Sequence, residues 1–458
     1  MASICFYAAL CEPHLLMILF FIIIFSFTVG IAIGNLTNEK QKLIIMWGGI
    51  LLILLPLILL KYTAFLPQFI SILLQNTSSD GTRLLSAIGI SFFTFQAISY
   101  LIDVYLGTAG IERHLGYFAL YIAFFPKLLQ GPIERAECLL PQIKQPTSFN
   151  YENVRYGLVI FAIGLFKKTV IAARLNPLVS EVYNNVNNYD GISFWIATFF
   201  YAAQIYCDFS GYTDMAIGSA LLFNIRLTDN FNHPYAATSI ADFWRRWHIT
   251  FSRWLMDYIF KPLQMKFRNL RMLSSLIALL ITFFICGLWH GSTWNFIVWG
   301  VVNGFYMSFS VITNRPRKRI VSLMHLNRHP VCLRVIRTVI TFFLVCFGWI
   351  FFRANNLSDA IYIIMNSLNN LSSLFQNIQQ YNYIKINIMF QQNAIQYLIT
   401  MILLFVTFIF HFLIDKRELL NHIFQKPTAI RWAFYYMIII AIMIFSQTDT
   451  AQYIYFQF

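Results

Sequence analysis

Long apolar runs separated by short polar stretches dominate the pattern along this chain. An apolar run of about 20 residues is long enough to cross the hydrocarbon core of a bilayer as a helix. Roughly eleven runs approach that length, and several are short enough to be broken or re-entrant. We therefore predict an all-α polytopic membrane protein with additional re-entrant or interfacial helices. The runs are Leu15–Gly34, Leu43–Leu60, Leu84–Leu106, Leu115–Leu129, Val154–Leu175, Ile192–Cys207, Leu273–Trp289, Trp294–Ile312, Val335–Phe352, Ile395–Ile414 and Ile430–Phe445.

Composition supports this interpretation and excludes soluble and disordered classes. Of the 458 residues, 58% are hydrophobic and only 11% are charged, and the mean hydropathy is +0.62. A soluble globular chain carries about 25% charged residues, because its surface faces water. The lipid bilayer must therefore be the main solvent of this chain. Since no internal repeat is visible, we predict a single membrane domain over residues 1–458, with its motif-bearing core at residues 204–300.

The charge balance predicts sidedness rather than a nucleic-acid partner. The net charge of +14 comes from 33 Lys and Arg against 19 Asp and Glu, and an excess of Lys and Arg is typical of cytoplasmic loops. Asn314–Arg337 has seven basic residues and no acidic one, so it should be cytoplasmic. Ala354–Asn393 has one of each, and the tail Gln447–Phe458 has no basic residue. Both should face the outer side.

Several chemistries are excluded by missing motifs. The seven cysteines include no C-x-x-C pair, so we predict neither a disulfide framework nor a metal site. The chain also has no P-loop, no H-E-x-x-H and no G-x-S-x-G. Nucleotide hydrolysis and zinc proteolysis are therefore disfavoured.

A first polar island covers Gln204–Lys261, where five aspartates, four arginines and two histidines alternate with aromatic residues. Ionisable groups at membrane depth are costly and usually serve a site. Within Asp242–Tyr258, aromatic residues recur every three or four positions, which predicts one short helix that does not cross the bilayer. An interfacial helix anchored by Trp and Arg is the alternative interpretation. The aromatic positions are Phe243, Trp247, Phe251, Trp254 and Tyr258.

A second polar island, Cys286–Trp294, places His290 between Gly287 and Gly291 within apolar sequence. Five of the ten tryptophans fall in the two islands and Trp299 follows shortly after the second, which predicts that the islands pack together around one cavity. A neutral imidazole in a poorly hydrated cavity is a good general base near pH 7. His290 and His248 together suit proton abstraction from a hydroxyl that then attacks an activated acyl group. The simpler alternative is that His290 only packs between helices.

These stretches resemble the membrane-bound O-acyltransferase family, and within it the bacterial branch of the alginate O-acetylation protein, which includes peptidoglycan O-acetyltransferases. The matching stretches run in family order over most of the chain. They are Gly89–Tyr105, Phe125–Ile143, Gln204–Tyr235, Asp242–Leu263, Gly287–Gly300, Gly348–Ala354 and Ile454–Phe458.

The resemblance implies a ring of helices around a central funnel, with His290 as the catalytic histidine and His248 as the second family histidine. It also implies an acyl donor from the cytoplasmic side, with acetyl-CoA or another thioester in that role, and no bound cofactor. The acceptor would be a cell-envelope glycan, either peptidoglycan or an alginate-like exopolysaccharide. A separate exported SGNH-type transferase would complete O-acetylation, and the chain would lie in the bacterial inner membrane.

Five further residues are candidates for substrate binding. Arg245 and Arg246 are suited to an anionic donor, by charge-assisted hydrogen bonds to phosphate, although anchoring to anionic lipid head groups is the alternative. Asp242, Trp289 and Asn295 lie close to the two histidines in sequence.

Two other functions and one departure from the family pattern complete the predictions. D-alanyl transfer to teichoic acid is a weaker resemblance. A transporter or flippase would use the buried charges as a path, and it predicts repeated halves, which are not found here. Relatives of the alginate branch usually begin with a further apolar helix, so this chain is expected to start late or to lack that span.

Overall fold

The computed structural model describes residues 1–62, 89–189, 191–370, 377, 379–413 and 416–447. Within these ranges all regular secondary structure is helical, which confirms the all-α prediction. The described α-helices of the first half are α1 (Ala2–Leu10), α2 (Pro13–Asn35), α3 (Glu39–Lys61), α4 (Ile90–Leu106), α5 (Leu115–Ala123), α6 (Phe125–Leu128), α7 (Ala136–Lys144), α8 (Tyr151–Phe166), α9 (Ala173–Asn184) and α10 (Ile192–Leu221).

The second half begins with short helices and continues with long apolar ones. They are α11 (Ile240–Arg246), α12 (Ile249–Leu255), α13 (Lys261–Lys266), α14 (Met272–His290), α15 (Trp294–Ile312), α16 (Asn314–Leu323), α17 (Pro330–Arg353), α18 (Leu357–Asn366), α19 (Tyr381–Asn387), α20 (Ala394–Leu413), α21 (Lys416–Phe424) and α22 (Thr428–Phe445).

Seven of the described helices are long and apolar enough to cross a membrane: α2, α3, α14, α15, α17, α20 and α22. They confirm a multi-pass membrane protein. The prediction of roughly eleven membrane helices, several of them short enough to be broken or re-entrant, agrees with these seven helices and the further apolar helices. Three of the remaining four apolar runs differ in form or length from a simple span. The run Leu115–Leu129 breaks at Phe124, since the following Pro126 has no N–H with which to continue a helix. The run Val154–Leu175 passes through a π-helical turn at Lys167–Ala172.

Of the other two runs, one lies partly outside the described residues and one is longer than predicted. Of the run Leu84–Leu106, residues 84–88 lie outside the described residues, and Ile90–Leu106 is helical. The run Ile192–Cys207 extends to Leu221, giving a 30-residue helix that carries the buried carboxylates of Asp208 and Asp214.

The chain divides into two compact units. Unit 1 contains Met1–Phe161 and Tyr212–Asp229, and unit 2 contains Ala162–Gly211 and residues 230–447 of the described chain. The single domain and the ring of helices around a funnel stay predictions.

Unit 1 packs α2, α3 and α4 against one another and encloses a buried polar cluster. The Lys127 ammonium donates to Gln96 Oε1 at 2.6 Å and to the Ile122 carbonyl at 3.3 Å. The Glu134 carboxylate accepts hydrogen bonds from the backbone N–H and the hydroxyl of Thr228. Such pairing is what allows these charged groups to be buried.

In unit 2, α14 and α15 form a tightly packed helical hairpin. Its closest approach is at Gly287 and Gly300. A Cβ at Gly287 would lie 2.3 Å from the Phe296 carbonyl oxygen, and one at Gly300 would lie 2.4 Å from the Phe283 carbonyl oxygen. Only glycine allows the two backbones to approach so closely. The hairpin places His290 at the last position of α14.

The aromatic segment Asp242–Tyr258 is not one helix, which corrects the prediction. The helices α11 and α12 are separated at His248, whose backbone is left-handed with φ of 42°. Helix α11 has seven residues and is about 10 Å long, and α12 continues through a π-helical turn at Met256–Phe260 into α13. The aromatic face is buried against protein at four of its five positions, so the interfacial alternative is not favoured. The buried positions are Phe243, Trp247, Phe251 and Trp254.

The predicted sidedness can be tested by cysteine labelling. Ser322 lies in the basic α16 and is exposed, and Gln379 lies in the predicted outer segment and is also exposed. In a background without the seven native cysteines, we expect Gln379→Cys to react with an impermeant maleimide from outside the inner membrane. Ser322→Cys should react only after that membrane is permeabilised. The reverse pattern would contradict the assignment, and the predicted outer tail lies outside the described residues beyond Gln447.

Candidate active site

The left-handed turn between α11 and α12 buries His248. Its side chain is 1% exposed, and its ring meets Phe209 edge-on at a centroid distance of 4.7 Å. Two backbone hydrogen bonds join this turn to the loop before α11, from Ile249 N–H to the Asn230 carbonyl and from Asn232 N–H to the Arg246 carbonyl, both at 2.9 Å. The loop pairing therefore fixes where the imidazole lies.

Asn230 fixes the orientation of His248. The Asn230 Oδ1 atom accepts hydrogen bonds from the Thr250 backbone N–H at 3.0 Å and from its hydroxyl at 2.7 Å. These two donors identify that atom as the amide oxygen. The Nδ1 atom of His248 lies 3.4 Å from the same oxygen, so Nδ1 is the nitrogen that carries the proton. The Nε2 atom then keeps its lone pair and can accept a proton.

Burial lowers the pKa of His248 to about 3, because the charged form would lose its hydration. The ring is therefore neutral at pH 7 in the folded protein. In the unfolded chain it titrates near pH 6.5. As the pH falls from 6.5 towards 3, the unfolded state binds a proton that the folded state does not, so His248 destabilises the fold progressively in that window.

This linkage predicts a pH-dependent stability. Between pH 7 and pH 5 we expect the wild-type protein to lose stability in detergent, with at most about 1.4 kcal/mol per pH unit arising from His248. His248→Asn should lose less over the same range, since Asn tolerates the left-handed backbone and does not titrate. Thermal unfolding midpoints measure the difference. The exposed His329→Ala is the control, and identical slopes for His248→Asn and wild type would contradict the prediction.

His290 lies inside a cage of aromatic rings. Its side chain is 4% exposed, and its ring lies 4.9 Å from Trp299 and 5.0 Å from Phe352, centroid to centroid. The ring of Trp289 is 4.6 Å away. Helices α14, α15 and α17 each contribute to this cage, so the imidazole is held by packing on several sides.

The two histidines share a pair of aromatic neighbours. Phe251 and Trp289 have centroids only 4.1 Å apart. The His248 ring lies 4.9 Å from Phe251 and 6.0 Å from Trp289, and the His290 ring lies 6.1 Å and 4.6 Å from the same two rings. Trp244 also packs on Trp299 at 5.8 Å. The two polar islands therefore pack together, as predicted, and the cavity predicted between them stays a prediction.

The acidic and basic candidates form a cluster along α11, with Asp242 in its first turn and Arg245 and Arg246 in its last. The Asp242 carboxylate accepts from the Thr238 backbone N–H at 3.1 Å and pairs with Arg246 Nε at 3.1 Å. Burial alone would raise the pKa of Asp242, but its bonds to Arg246 and Thr238 outweigh burial and hold the pKa below its usual value. Arg245 reaches the same carboxylate only at 3.5 Å, and its side chain is 74% exposed.

The two remaining candidates are built into the walls of the site. Trp289 is buried on Phe251, as described above. Asn295 is 2% exposed, and its Nδ2 donates to the Ala354 carbonyl at 2.7 Å. That bond joins the start of α15 to the end of α17, so Asn295 helps to hold together the helices around His290.

A model of the membrane-bound O-acyltransferase family matches residues 112–352, which include all of these side chains. The chain belongs to this family. It is 33% identical to the peptidoglycan O-acetyltransferase of Helicobacter pylori over 76% of its own length and 70% of that relative. The probable alginate O-acetylase AlgI of Pseudomonas aeruginosa is 35% identical over 74% of this chain and 63% of the relative. The chain thus spans about two thirds of these proteins.

A more distant similarity links this O-acyltransferase family member to the teichoic acid D-alanyltransferase of Bacillus subtilis, at 28% identity over 67% of the chain. None of these comparisons supports the transporter alternative.

Asn230 gives no signal of its role in the sequence, although it lies in the stretch Gln204–Tyr235. An asparagine 18 residues before a histidine gives no periodic signal, because the two meet only through loop pairing. Phe352 was also missed as a cage residue. It lies in an apolar run, and no feature of the neighbouring sequence indicates its contact with His290.

Proposed function

We propose that the protein is an O-acetyltransferase that takes an acetyl group from a cytoplasmic thioester and supplies it for O-acetylation of a cell-envelope polysaccharide. One observation carries this proposal: the two histidines of the polar islands meet the same buried aromatic pair, Phe251 and Trp289. The names of the relatives in Helicobacter and Pseudomonas support acetylation of an envelope polysaccharide.

The proposed reaction uses the buried His290 imidazole as a general base. His290 takes the proton of the acceptor hydroxyl as that oxygen attacks the carbonyl carbon of the thioester. The tetrahedral intermediate collapses with cleavage of the C–S bond, and the protonated imidazole returns the proton to the departing sulfur. The products are an O-acetyl ester and a free thiol. His248, held by Asn230 with Nε2 unprotonated, serves beside it to orient a reactant or relay the proton.

We assign acetyl-CoA as the donor, entering from the cytoplasmic side of a bacterial inner membrane. An exported SGNH-type transferase is proposed as the partner that passes the acetyl group to the glycan. Inverted membrane vesicles containing the full chain test this directly, with acetyl-CoA labelled in the acetyl group. We expect alkali-labile label in an acceptor hydroxyl when that partner and the polysaccharide are present. Movement of glycan without any ester formation would support a transporter instead.

Arg245 is the candidate contact for the phosphates of the donor, because its guanidinium is exposed whereas Arg246 is held by Asp242. We expect Arg245→Gln to raise the apparent KM for acetyl-CoA about 2- to 10-fold, the range for an exposed charged contact. Membrane abundance should stay unchanged. Arg253, on α12, is also exposed. The control variant Arg253→Gln should therefore keep a normal KM for acetyl-CoA.

Anchoring of Arg245 to anionic lipid predicts a different result. In that case Arg245→Gln would lower membrane abundance or stability, and the KM would follow wild type. Arg246→Gln should lower abundance under either interpretation, since it breaks the pair with the largely buried Asp242.

A further inference from the structure

In unit 2, helix α16 joins α15 to α17, two of the helices that are long and apolar enough to cross a membrane. Only Thr313 separates α16 from the last residue of α15, Ile312. The Arg317 guanidinium holds the two helices together, because its Nη2 donates to the Ser310 carbonyl at 2.6 Å and its Nε to the Thr313 carbonyl at 3.3 Å. A helix that crosses a membrane ends near the membrane surface, so α16 is fixed at that surface.

The charge of α16 and of the chain around it has one sign only. Between Asp257 and Asp359 the sequence has twelve Lys and Arg and no Asp or Glu. Four of the twelve lie in α16 with exposed side chains, and none of the four forms an ion pair with a carboxylate of the described chain. An unbalanced positive surface of this kind attracts anions. The four residues are Arg315, Arg317, Lys318 and Arg319.

Beside these charges, α16 has an apolar stripe formed by Ile320, Leu323 and Met324. Their spacings of three and four residues place them on one face of the helix. The described chain leaves this stripe largely uncovered, since the three residues are 53%, 69% and 63% exposed. A single exposed apolar side chain is common, but a group of them marks a surface for interaction. An apolar stripe on a helix rich in Lys and Arg is typical of a helix that lies in the membrane interface.

Position decides between the two anionic partners that such a surface could bind, phospholipid head groups and an acidic protein. The bonds of Arg317 keep α16 at the end of α15, where lipid surrounds the apolar helices on every exposed side. Lipid there offers phosphate groups to the basic side chains and acyl chains to the apolar stripe. An acidic protein would have to displace that lipid first. Anionic phospholipid therefore matches both the charge and the stripe.

We propose that α16 lies along the membrane surface and binds anionic phospholipids, whose phosphate groups contact Arg315, Lys318 and Arg319. The apolar stripe inserts among the acyl chains of the same leaflet. Arg317 stays on the end of α15 and holds the helix in place. The lipids are bound ligands and undergo no reaction, so the proposal does not depend on acetyl transfer.

Fluorescence quenching tests this with the full chain reconstituted in vesicles. In the background without native cysteines, bimane is attached at Leu323→Cys, and a fixed fraction of phosphatidylcholine carries bromine in its acyl chains as the quencher. We expect stronger quenching when the remaining lipid includes phosphatidylglycerol than when it is phosphatidylcholine alone, because the anionic lipid draws the stripe into the membrane. Bimane at Ser322→Cys, the next residue along α16 and outside the stripe, is the matched control and should be quenched less in both vesicles.

The basic side chains have their own test. The triple variant Arg315→Gln, Lys318→Gln and Arg319→Gln should lose the dependence of quenching on phosphatidylglycerol. In a titration of the detergent-solubilised protein with phosphatidylglycerol, followed by native mass spectrometry, its apparent affinity should be about 10- to 100-fold lower than that of the wild type. The variant Arg315→Lys with Arg319→Lys keeps the charge and should bind like the wild type.

A second control removes three charges from the same end of the α14–α15 hairpin without changing α16. Lys266, Arg268 and Arg271 are exposed just before or at the start of α14, and replacing all three with Gln should leave quenching at Leu323→Cys dependent on phosphatidylglycerol. Equal quenching in the two kinds of vesicle would overturn the proposal. Quenching no stronger at Leu323→Cys than at Ser322→Cys would also overturn it and would favour an acidic protein. These comparisons decide the proposal even if the triple variant fails to accumulate.

Discussion

Replacing His290 with Ala should abolish measurable acetylation of the envelope while the protein still accumulates in the membrane. General-base assistance is worth roughly 10²- to 10⁴-fold in rate, and His290 lies in a cage of rings that excludes water from the base. The measurement is ester-linked acetate in the isolated polysaccharide, normalised to the membrane level of the protein.

The matched control is His329→Ala, because His329 is an exposed histidine at the start of α17. It should retain full acetylation. If His290 only packed helices together, His290→Ala would lower the membrane abundance of the protein, and acetylation would fall in proportion to that abundance. Near-native acetyl transfer by His290→Ala at a normal membrane level would refute the catalytic role.

Gly300→Ala is expected to have the largest effect on stability. The new methyl carbon would lie 2.4 Å from the Phe283 carbonyl oxygen and 3.0 Å from the Gly287 Cα, so the backbones of α14 and α15 must separate. Overpacking of this kind costs roughly 1–3 kcal/mol. We expect a lower thermal unfolding midpoint in detergent and a loss of acetylation, because the shift displaces His290 at the end of α14.

Gly48→Ala separates this clash from the general effect of adding a methyl group to a membrane helix. Gly48 lies within α3, and a Cβ there would meet nothing within 4 Å. Alanine in a helix interior is more favourable than glycine by roughly 0.5–1 kcal/mol, so this variant should match or exceed the wild-type midpoint. Equal midpoints for Gly300→Ala and wild type would show that the hairpin can relax.

The sequence predicts helix type well and helix continuity less well. In their described parts, all eleven apolar runs are mainly helical, since hydrophobicity over 20 residues is a strong signal. The break at His248 carries no such signal. Its aromatic neighbours keep a helical spacing, and the left-handed backbone at His248 is imposed by pairing with the loop at Asn230.

In the candidate site, too, the sequence predicts some features and not others. His248 and His290 stand out as histidines in apolar sequence, and both are buried in unit 2. The environment of Asp242 could not be predicted in this way, because an aspartate four residues before Arg246 is also suited to a ligand contact. In the structure the carboxylate is engaged by Arg246 and by the backbone of Thr238. Whether any candidate touches substrate stays a prediction.

The cage around His290 also sets an order of events during synthesis. Its rings come from four helices, with Phe251 of α12 first, Trp289 of α14 and Trp299 of α15 next, and Phe352 of α17 last. A nascent chain that has inserted α14 and α15 but not yet α17 already contains both histidines. It still lacks the ring of Phe352 and the Ala354 carbonyl that Asn295 binds. The imidazole of His290 would therefore acquire its fixed position only when α17 joins the hairpin, late in biosynthesis.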